Sequence, residues 1–173
     1  MSRPVQANLL IVDDEPHSLL AMQQLLCGPG RNVVAAGSGR EALRRTLEAD
    51  FALIVLDIRM PGMDGFETAA LIRKRPQSRH TPIMFLTAAF DDLESVVRGY
   101  EVGAVDYLLK PVDPDILRSK VAVFVDLYTK SAELAEQVAQ RKTAEHELSR
   151  VNANLEGKIR ERTASLIQSN MRR

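Results

Sequence analysis

The chain has 173 residues, 45% hydrophobic and 27% charged, a balance that suits one ordinary soluble domain with an appendage. Lys plus Arg and Asp plus Glu both number 23, so no net charge draws the chain to nucleic acid or to an anionic membrane surface. No apolar run approaches the roughly 18 residues that span a bilayer, Met1 to Asn8 lack the apolar core of a signal peptide, and a single cysteine, Cys27, excludes an intramolecular disulfide and a cysteine-built zinc site. No membrane insertion is expected, and the expected compartment is the cytoplasm. Cys27 itself reads as a small residue closing an apolar helix.

From Asn8 to about Lys110, short apolar runs alternate with segments of helical period. The runs cover residues 9–12, 33–36, 52–56, 83–86 and 105–109. Leu19, Leu20, Met22, Leu25 and Leu26 follow the first, Ala42, Leu43 and Leu47 the second, and Phe66, Ala69, Ala70 and Ile72 the third. Continuously apolar strands separated by helices belong to a parallel sheet covered on both faces. The fold class is therefore α/β, a (βα)5 doubly wound arrangement.

The pattern changes at Pro111. Asp113 and Pro114 make a helix start, and no proline follows as far as Arg173, so one long helix is expected. Alternating steps of three and four from Phe124 reach Leu127, Ser131, Leu134, Val138, Arg141, Glu145, Leu148, Asn152, Leu155, Ile159, Arg162 and Leu166. Eight of these thirteen positions are apolar, the signature of a coiled-coil seam. Asn152 takes an a position, where asparagine pairs with its symmetry mate and favours a parallel, in-register homodimer. Arg141, Glu145 and Arg162 weaken the seam, and Gly157, at f, costs about 1 kcal/mol of helix propensity. A solvated amphipathic helix is the plainer alternative. The expected division is 5–128 for the sheet domain and 129–170 for the coiled coil.

Ligands of open parallel sheets gather beyond the carboxyl ends of the strands. There stand Asp13, Asp14 and Glu15 after the first strand, Asp57 at the third, Thr87 at the fourth and Lys110 at the fifth. Crowded carboxylates repel unless a cation lies among them, and Mg²⁺ suits such oxygen ligands. With the cation bound, Asp57 stays ionised as a nucleophile towards a phosphoryl group, forming an aspartyl phosphate. Lys110 supplies a mobile point charge, first to Asp57 and then to a phosphoryl oxygen, and Thr87 a hydroxyl donor. Alone, each residue has a plainer role as helix cap, turn former or solvated charge. Their coincidence at four strand ends favours a phosphoryl-transfer site.

The stretches Leu9-Leu10-Ile11-Val12-Asp13-Asp14-Glu15-Pro16, Leu53 to Asp57 with Arg59-Met60-Pro61-Gly62-Met63-Asp64-Gly65, Phe85-Leu86-Thr87-Ala88 and Gly103-Ala104-Val105-Asp106-Tyr107-Leu108-Leu109-Lys110-Pro111 carry a family likeness. From about Ala7 to Tyr128 the chain resembles the receiver domain of two-component response regulators. The resemblance implies a flavodoxin-like strand order 2-1-3-4-5 and phosphorylation of Asp57 by a histidine kinase or histidine phosphotransfer protein. It implies Mg²⁺ held by Asp14, Asp57 and the Arg59 backbone carbonyl, with Asp13 acting through water, and a cis Lys110–Pro111 bond. Such a domain is a phosphoacceptor with slow autophosphatase activity rather than a conventional enzyme. Arg59, Ala88 and Ala89 occupy positions that vary in the family and influence phosphoryl lifetime. Tyr107 matches the switch aromatic: a phosphoryl group draws the Thr87 hydroxyl towards itself, and the vacated space takes the Tyr107 ring from the surface. An ordinary amphipathic tyrosine is the alternative, and it is preferred for Tyr100 and Tyr128.

The stretch from Leu148 to Glu156 and the run Arg160-Glu161-Arg162-Thr163-Ala164-Ser165-Leu166 are similar to signalling helices that precede sensor or kinase modules in multidomain histidine kinases. That suggests the regulatory part of a larger kinase or other output enzyme; a two-part regulator acting through partners is the alternative. His146-Glu147-Leu148 resembles the start of a kinase phosphoacceptor motif, but the proline expected after it is absent, and an exposed b position is favoured. His17 and His80 read as surface residues. An Asp-based phosphohydrolase would want an acid/base Asp where Arg59 stands, and an inert receiver serving as a dimerisation scaffold conflicts with the full residue set. No helix-turn-helix supports DNA binding.

Overall fold

The computed structural model describes residues 5–88, 97, 101 and 103–171. The roles considered for Ala89 and Tyr100, and most of the stretch expected to form a fourth helix, lie outside the described residues. Five parallel strands, β1 (Ala7–Val12), β2 (Arg31–Ala36), β3 (Leu53–Asp57), β4 (Ile83–Thr87) and β5 (Asp106–Leu109), form one sheet in the order β2-β1-β3-β4-β5. Helix α1 (Pro16–Leu26) follows β1, α2 (Gly39–Glu48) follows β2, α3 (Gly65–Arg73) follows β3, and one C-terminal helix runs over Pro114–Asn170. The doubly wound α/β expectation and its strand order hold.

The central strands are buried on both faces, so their side chains divide between two cores. On one face Leu10, Ile54, Leu56 and Phe85 pack with Phe66, Ala69 and Ile72 of α3 and Ala42 of α2. On the other, Leu9, Ile11, Val55 and Met84 meet Met22 and Leu26 of α1 and Leu117 and Val121 of the C-terminal helix. Leu20 and Leu47, counted from periodicity among the apolar helical positions, are instead 54% and 65% exposed. Phe124, the first expected seam position, packs with Val125 and Tyr128 against the second core. Its ring therefore serves the sheet domain, and the free apolar stripe begins at the exposed Leu127.

Local chemistry sets the helix starts. The Ser38 hydroxyl accepts the Glu41 amide, Asp64 and Glu67 form a reciprocal capping box on α3, and Asp113 Oδ1 accepts the amides of Asp115 and Ile116. Cys27 caps the end of α1 and is exposed. At the amino-terminal edge of the sheet, the Arg73 guanidinium donates to the carbonyls of Arg79 at 2.6 Å, Thr81 at 2.7 Å and Gly103 at 2.6 Å, tying the segment after α3 to the approach to β5.

By compactness the chain forms two units, Met1–Lys130 and Ser131–Arg173. In the second, Leu134, Val138, Leu148, Leu155 and Ile159 are exposed, as is Asn152. Among the described residues no helix is long and apolar enough to cross a membrane.

Two glycines give opposite expectations for the same substitution. A Cβ on Gly65 would lie 2.3 Å from the Asp57 carbonyl oxygen, a contact that only backbone movement relieves, whereas one on Gly157 meets nothing within 4 Å. Gly65→Ala should cost about 2–3 kcal/mol in urea unfolding. Gly157→Ala should stabilise the helix by about 1 kcal/mol, read as helical signal on heating.

Candidate functional site

The carboxyl ends of β1, β3, β4 and β5 bring the expected residues together. Asp57 ends β3 and is 5% exposed; Asp13, one residue beyond β1, is fully buried. Lys110, directly after β5, donates through Nζ to Asp13 Oδ2 and to Asp57 Oδ2, each at 2.7 Å. Its backbone amide donates to the Thr87 carbonyl at 2.8 Å, so Thr87 and Lys110 share one position at the sheet end. Lys110–Pro111 is cis.

The acids are held from several directions. Asp13 Oδ1 accepts the Glu15 amide at 2.9 Å, and its Oδ2 accepts the Ser18 hydroxyl at 2.7 Å. The amide of exposed Arg59 donates to Asp57 Oδ1 at 3.2 Å. The loop carrying it is shaped by Gly62, whose φ of +81° favours glycine, and is closed by the Gly65 amide on the Ile58 carbonyl at 2.9 Å. Ser18 was not anticipated. Its only cue is its place on the first turn of α1, five residues after Asp13.

One carboxylate oxygen from each of Asp13, Asp14 and Asp57 lies within 4.8 Å of the others, a spacing that could hold a metal ion. Asp14 and Glu15 are exposed, and Glu15 is outside this cluster. Three carboxylates face one ammonium. Burial pushes the Asp57 carboxyl above its usual range, outweighing the Lys110 hydrogen bond and charge and the Arg59 amide, while Asp13 pushes the same way. Burial pulls Lys110 down, but its hydrogen bonds and charge pairing with Asp13 and Asp57 prevail and hold its ammonium above the usual value. The donor set, all oxygen and carrying excess negative charge, fits a hard divalent cation.

Tyr107 is buried, with its ring centroid 5.6 Å from that of Phe85, and Phe85 in turn meets Phe66 edge-on at 5.0 Å. Thr87 is half-buried at the end of β4. The ring expected to enter from the surface is thus already inside. His17, His80 and His146 are all exposed.

A parallel sheet in this order, with an acidic cluster and a lysine at its carboxyl edge, defines a receiver-type α/β domain. The chain belongs to the response regulator receiver domain family, whose model matches residues 9–122. Receiver domains bind Mg²⁺ in an acidic pocket and interact with histidine kinases or phosphotransfer proteins. A probable cyclic di-GMP phosphodiesterase of Vibrio cholerae is 40% identical over 116 residues, 67% of this chain and 26% of that protein. The transcriptional regulatory protein AfsQ1 of Streptomyces coelicolor is 40% identical over 114 residues, 66% of this chain and 49% of its own length. The chain thus spans between about a quarter and a half of these relatives. Among solved structures, the Vibrio cholerae chemotaxis protein CheY4 is 34% identical with a TM-score of 0.65, covering 69% of this chain and 98% of that one. The receiver domain of the Pseudomonas aeruginosa sensor histidine kinase PA1611, with a magnesium ion coordinated in its active-site cleft, is 26% identical with a TM-score of 0.63, covering 70% and 98%.

The raised Asp57 carboxyl gives a signed expectation. Its neutral form suits the fold, so the stability it contributes is complete below the unfolded carboxyl pKa and is lost as pH rises through the higher folded value. Without divalent cation at pH 7, Asp57→Asn should therefore stabilise the protein, a gain that fades as pH falls towards the ordinary unfolded carboxyl value of about 4. Lys110→Met leaves two buried carboxylates without their cation and should cost about 2 kcal/mol at pH 7. Urea unfolding in chelator across this pH range checks both.

Proposed function

We propose that Asp57 accepts a phosphoryl group from the phosphohistidine of a histidine kinase or histidine phosphotransfer protein in the cytoplasm, and that the change passes through Thr87, Tyr107 and the C-terminal helix to a parallel coiled-coil dimer. The observation that carries this is the buried Asp57 carboxylate joined to Asp13 by one ammonium, Lys110 Nζ at 2.7 Å from each. In this reading residues 5–128 are the receiver and 129–170 the coiled coil, with Leu127, Leu134, Val138, Leu148, Asn152, Leu155 and Ile159 along the seam.

An Asp57 carboxylate oxygen attacks phosphorus, the P–O bond forms as the donor's P–N bond breaks, and the imidazole departs with the electron pair. Lys110 moves part of its pairing from the carboxylate to a phosphoryl oxygen, and the Thr87 hydroxyl donates to another. Asp14, Asp57 and the Arg59 carbonyl would hold Mg²⁺, with Asp13 acting through water. When bound, this ion offsets the crowded negative charge and favours the extra charge of the phosphoryl group. Drawing Thr87 towards the phosphoryl group deepens the space beside Phe85, which stabilises the inward Tyr107 ring. The C-terminal helix shares that part of the domain through Lys120, whose ammonium pairs with Asp106 at the start of β5.

A second reading makes the chain the regulatory part of a larger histidine kinase or other output enzyme. It is favoured by the short share of the relatives' lengths, 26% and 49%, that the match covers.

Native mass measurement with acetyl phosphate and Mg²⁺ tests the proposal. Wild type should gain one phosphoryl adduct within a dimer, Asp57→Ala none, and Lys110→Ala should load at least about tenfold more slowly. Failure of wild type to load from acetyl phosphate, fluorophosphate and kinase donors alike would reduce the domain to an inert scaffold. Single cysteines at Leu134, Leu148 and Leu155, in a Cys27→Ser background, should change their crosslinking on phosphorylation; an unchanged pattern overturns the relay.

A further inference from the structure

The exposed stripe of the C-terminal helix is apolar at Leu134 and Val138 and again at Leu148, Leu155 and Ile159. Between these halves the seam positions are Arg141 and Glu145, one of each sign and four residues apart. Glu145 is the only acid among the seam positions from Ser131 to Leu166. Both side chains are exposed, and among the described residues neither makes an ion pair.

A pair at this spacing can close within one helix, and elsewhere in this helix such pairs do. Lys130 meets Asp126 at 2.8 Å and Arg160 meets Glu156 at 3.6 Å, both with the acid first in the chain. Arg141 and Glu145 stand in the reverse order, the one less favourable within a helix. Buried against an apolar partner, two such charges would be costly, because each would lose water without gaining a counter-ion. Against a second copy of the same helix, parallel and in register, the d position of one chain adjoins the following a position of the other. The arginine of each chain then faces the glutamate of its mate, twice by symmetry.

We propose that the occupant of this stripe is a second copy of the chain and that Arg141 and Glu145 form reciprocal ion pairs across the seam, fixing parallel orientation and register. This rests on the coiled-coil reading above and adds the element that selects the partner. Asn152, at an a position eleven residues after Arg141, reinforces the same register by meeting its own mate. Lys142, at the flanking e position, adds a second positive charge beside Arg141 and leaves Glu145 as the one seam acid to be matched. The seam is thereby divided into two apolar segments with a charged clasp between them. Such a clasp contributes more to specificity than to affinity, since like charges in a misaligned or foreign pairing repel.

Charge reversal in full-length chains tests this. Arg141→Glu places two acids in each seam, and Glu145→Arg places two bases; each variant alone should self-associate about tenfold more weakly than wild type. Mixed in equal amounts with distinguishable mass tags, the two should form the mixed dimer in clear excess over the statistical half, with stability within about threefold of wild type. Recovery in the mixture also shows that both variants fold. Arg162→Glu, which alters a seam arginine with no seam acid four residues on, should not pair selectively with Glu145→Arg. Asn152→Cys in a Cys27→Ser background should crosslink to its own mate, as an in-register parallel pair requires. A wild-type dimer whose reversal variants mix statistically would overturn the clasp while leaving the coiled coil standing. A wild-type monomer would overturn both.

Discussion

The Lys110 ammonium, 2.7 Å from a carboxylate oxygen of Asp13 and of Asp57, is the interaction on which the rest depends. It spans the sheet from the residue after β5 to the ends of β3 and β1, across the intervening β4. Without it, two buried acids would repel at the place where the fold most needs close packing. With it, they stay close and ionisable, and Asp57 remains under enough electrostatic tension to favour added positive charge. Surrounding contacts fix these three groups: Ser18 and the Glu15 amide hold Asp13, the Arg59 amide holds Asp57, and the Thr87 carbonyl holds the backbone of Lys110.

The supporting fold explains why those contacts are available. Strands apolar on both faces place the polar residues where each run stops, all at one edge. Gly65 lets α3 begin against the Asp57 carbonyl, so the loop from Ile58 to Asp64 must return to where it started. The capping box of Asp64 and Glu67 then fixes where that helix starts. Asp57 is thus set by a strand end, a tight loop and a helix start in immediate succession.

Much of this was legible from residue order because the sheet is buried on both sides, which makes strands read as unbroken apolar runs. The observed strands differ from those runs by one or two residues at their ends: β1 reaches back to Ala7, and β3 includes Asp57 itself. The acids, threonine and lysine of the site were legible because each stands at the end of a strand or just beyond it. Ser18, Gly65 and Arg73 were not, since their roles arise from particular side-chain and backbone contacts, which periodicity does not encode. Periodicity also did not separate the exposed Leu20 and Leu47 from their buried neighbours, and it counted Phe124 as seam. A spacing of three and four identifies a helical face but not what lies against it, and for Phe124 that is the second core.

The strand β5 has four residues and is paired on one side only, to β4. It carries Tyr107 and leads directly to Lys110, so the charge that balances the site hangs from an edge strand. An edge strand bends at lower cost than a central one, because fewer backbone bonds resist it. The acids sit on strands clamped from both sides while their counter-charge sits on the margin. Any rearrangement around the ammonium is therefore expressed as strain at the sheet's rim, where it can be absorbed without opening the interior.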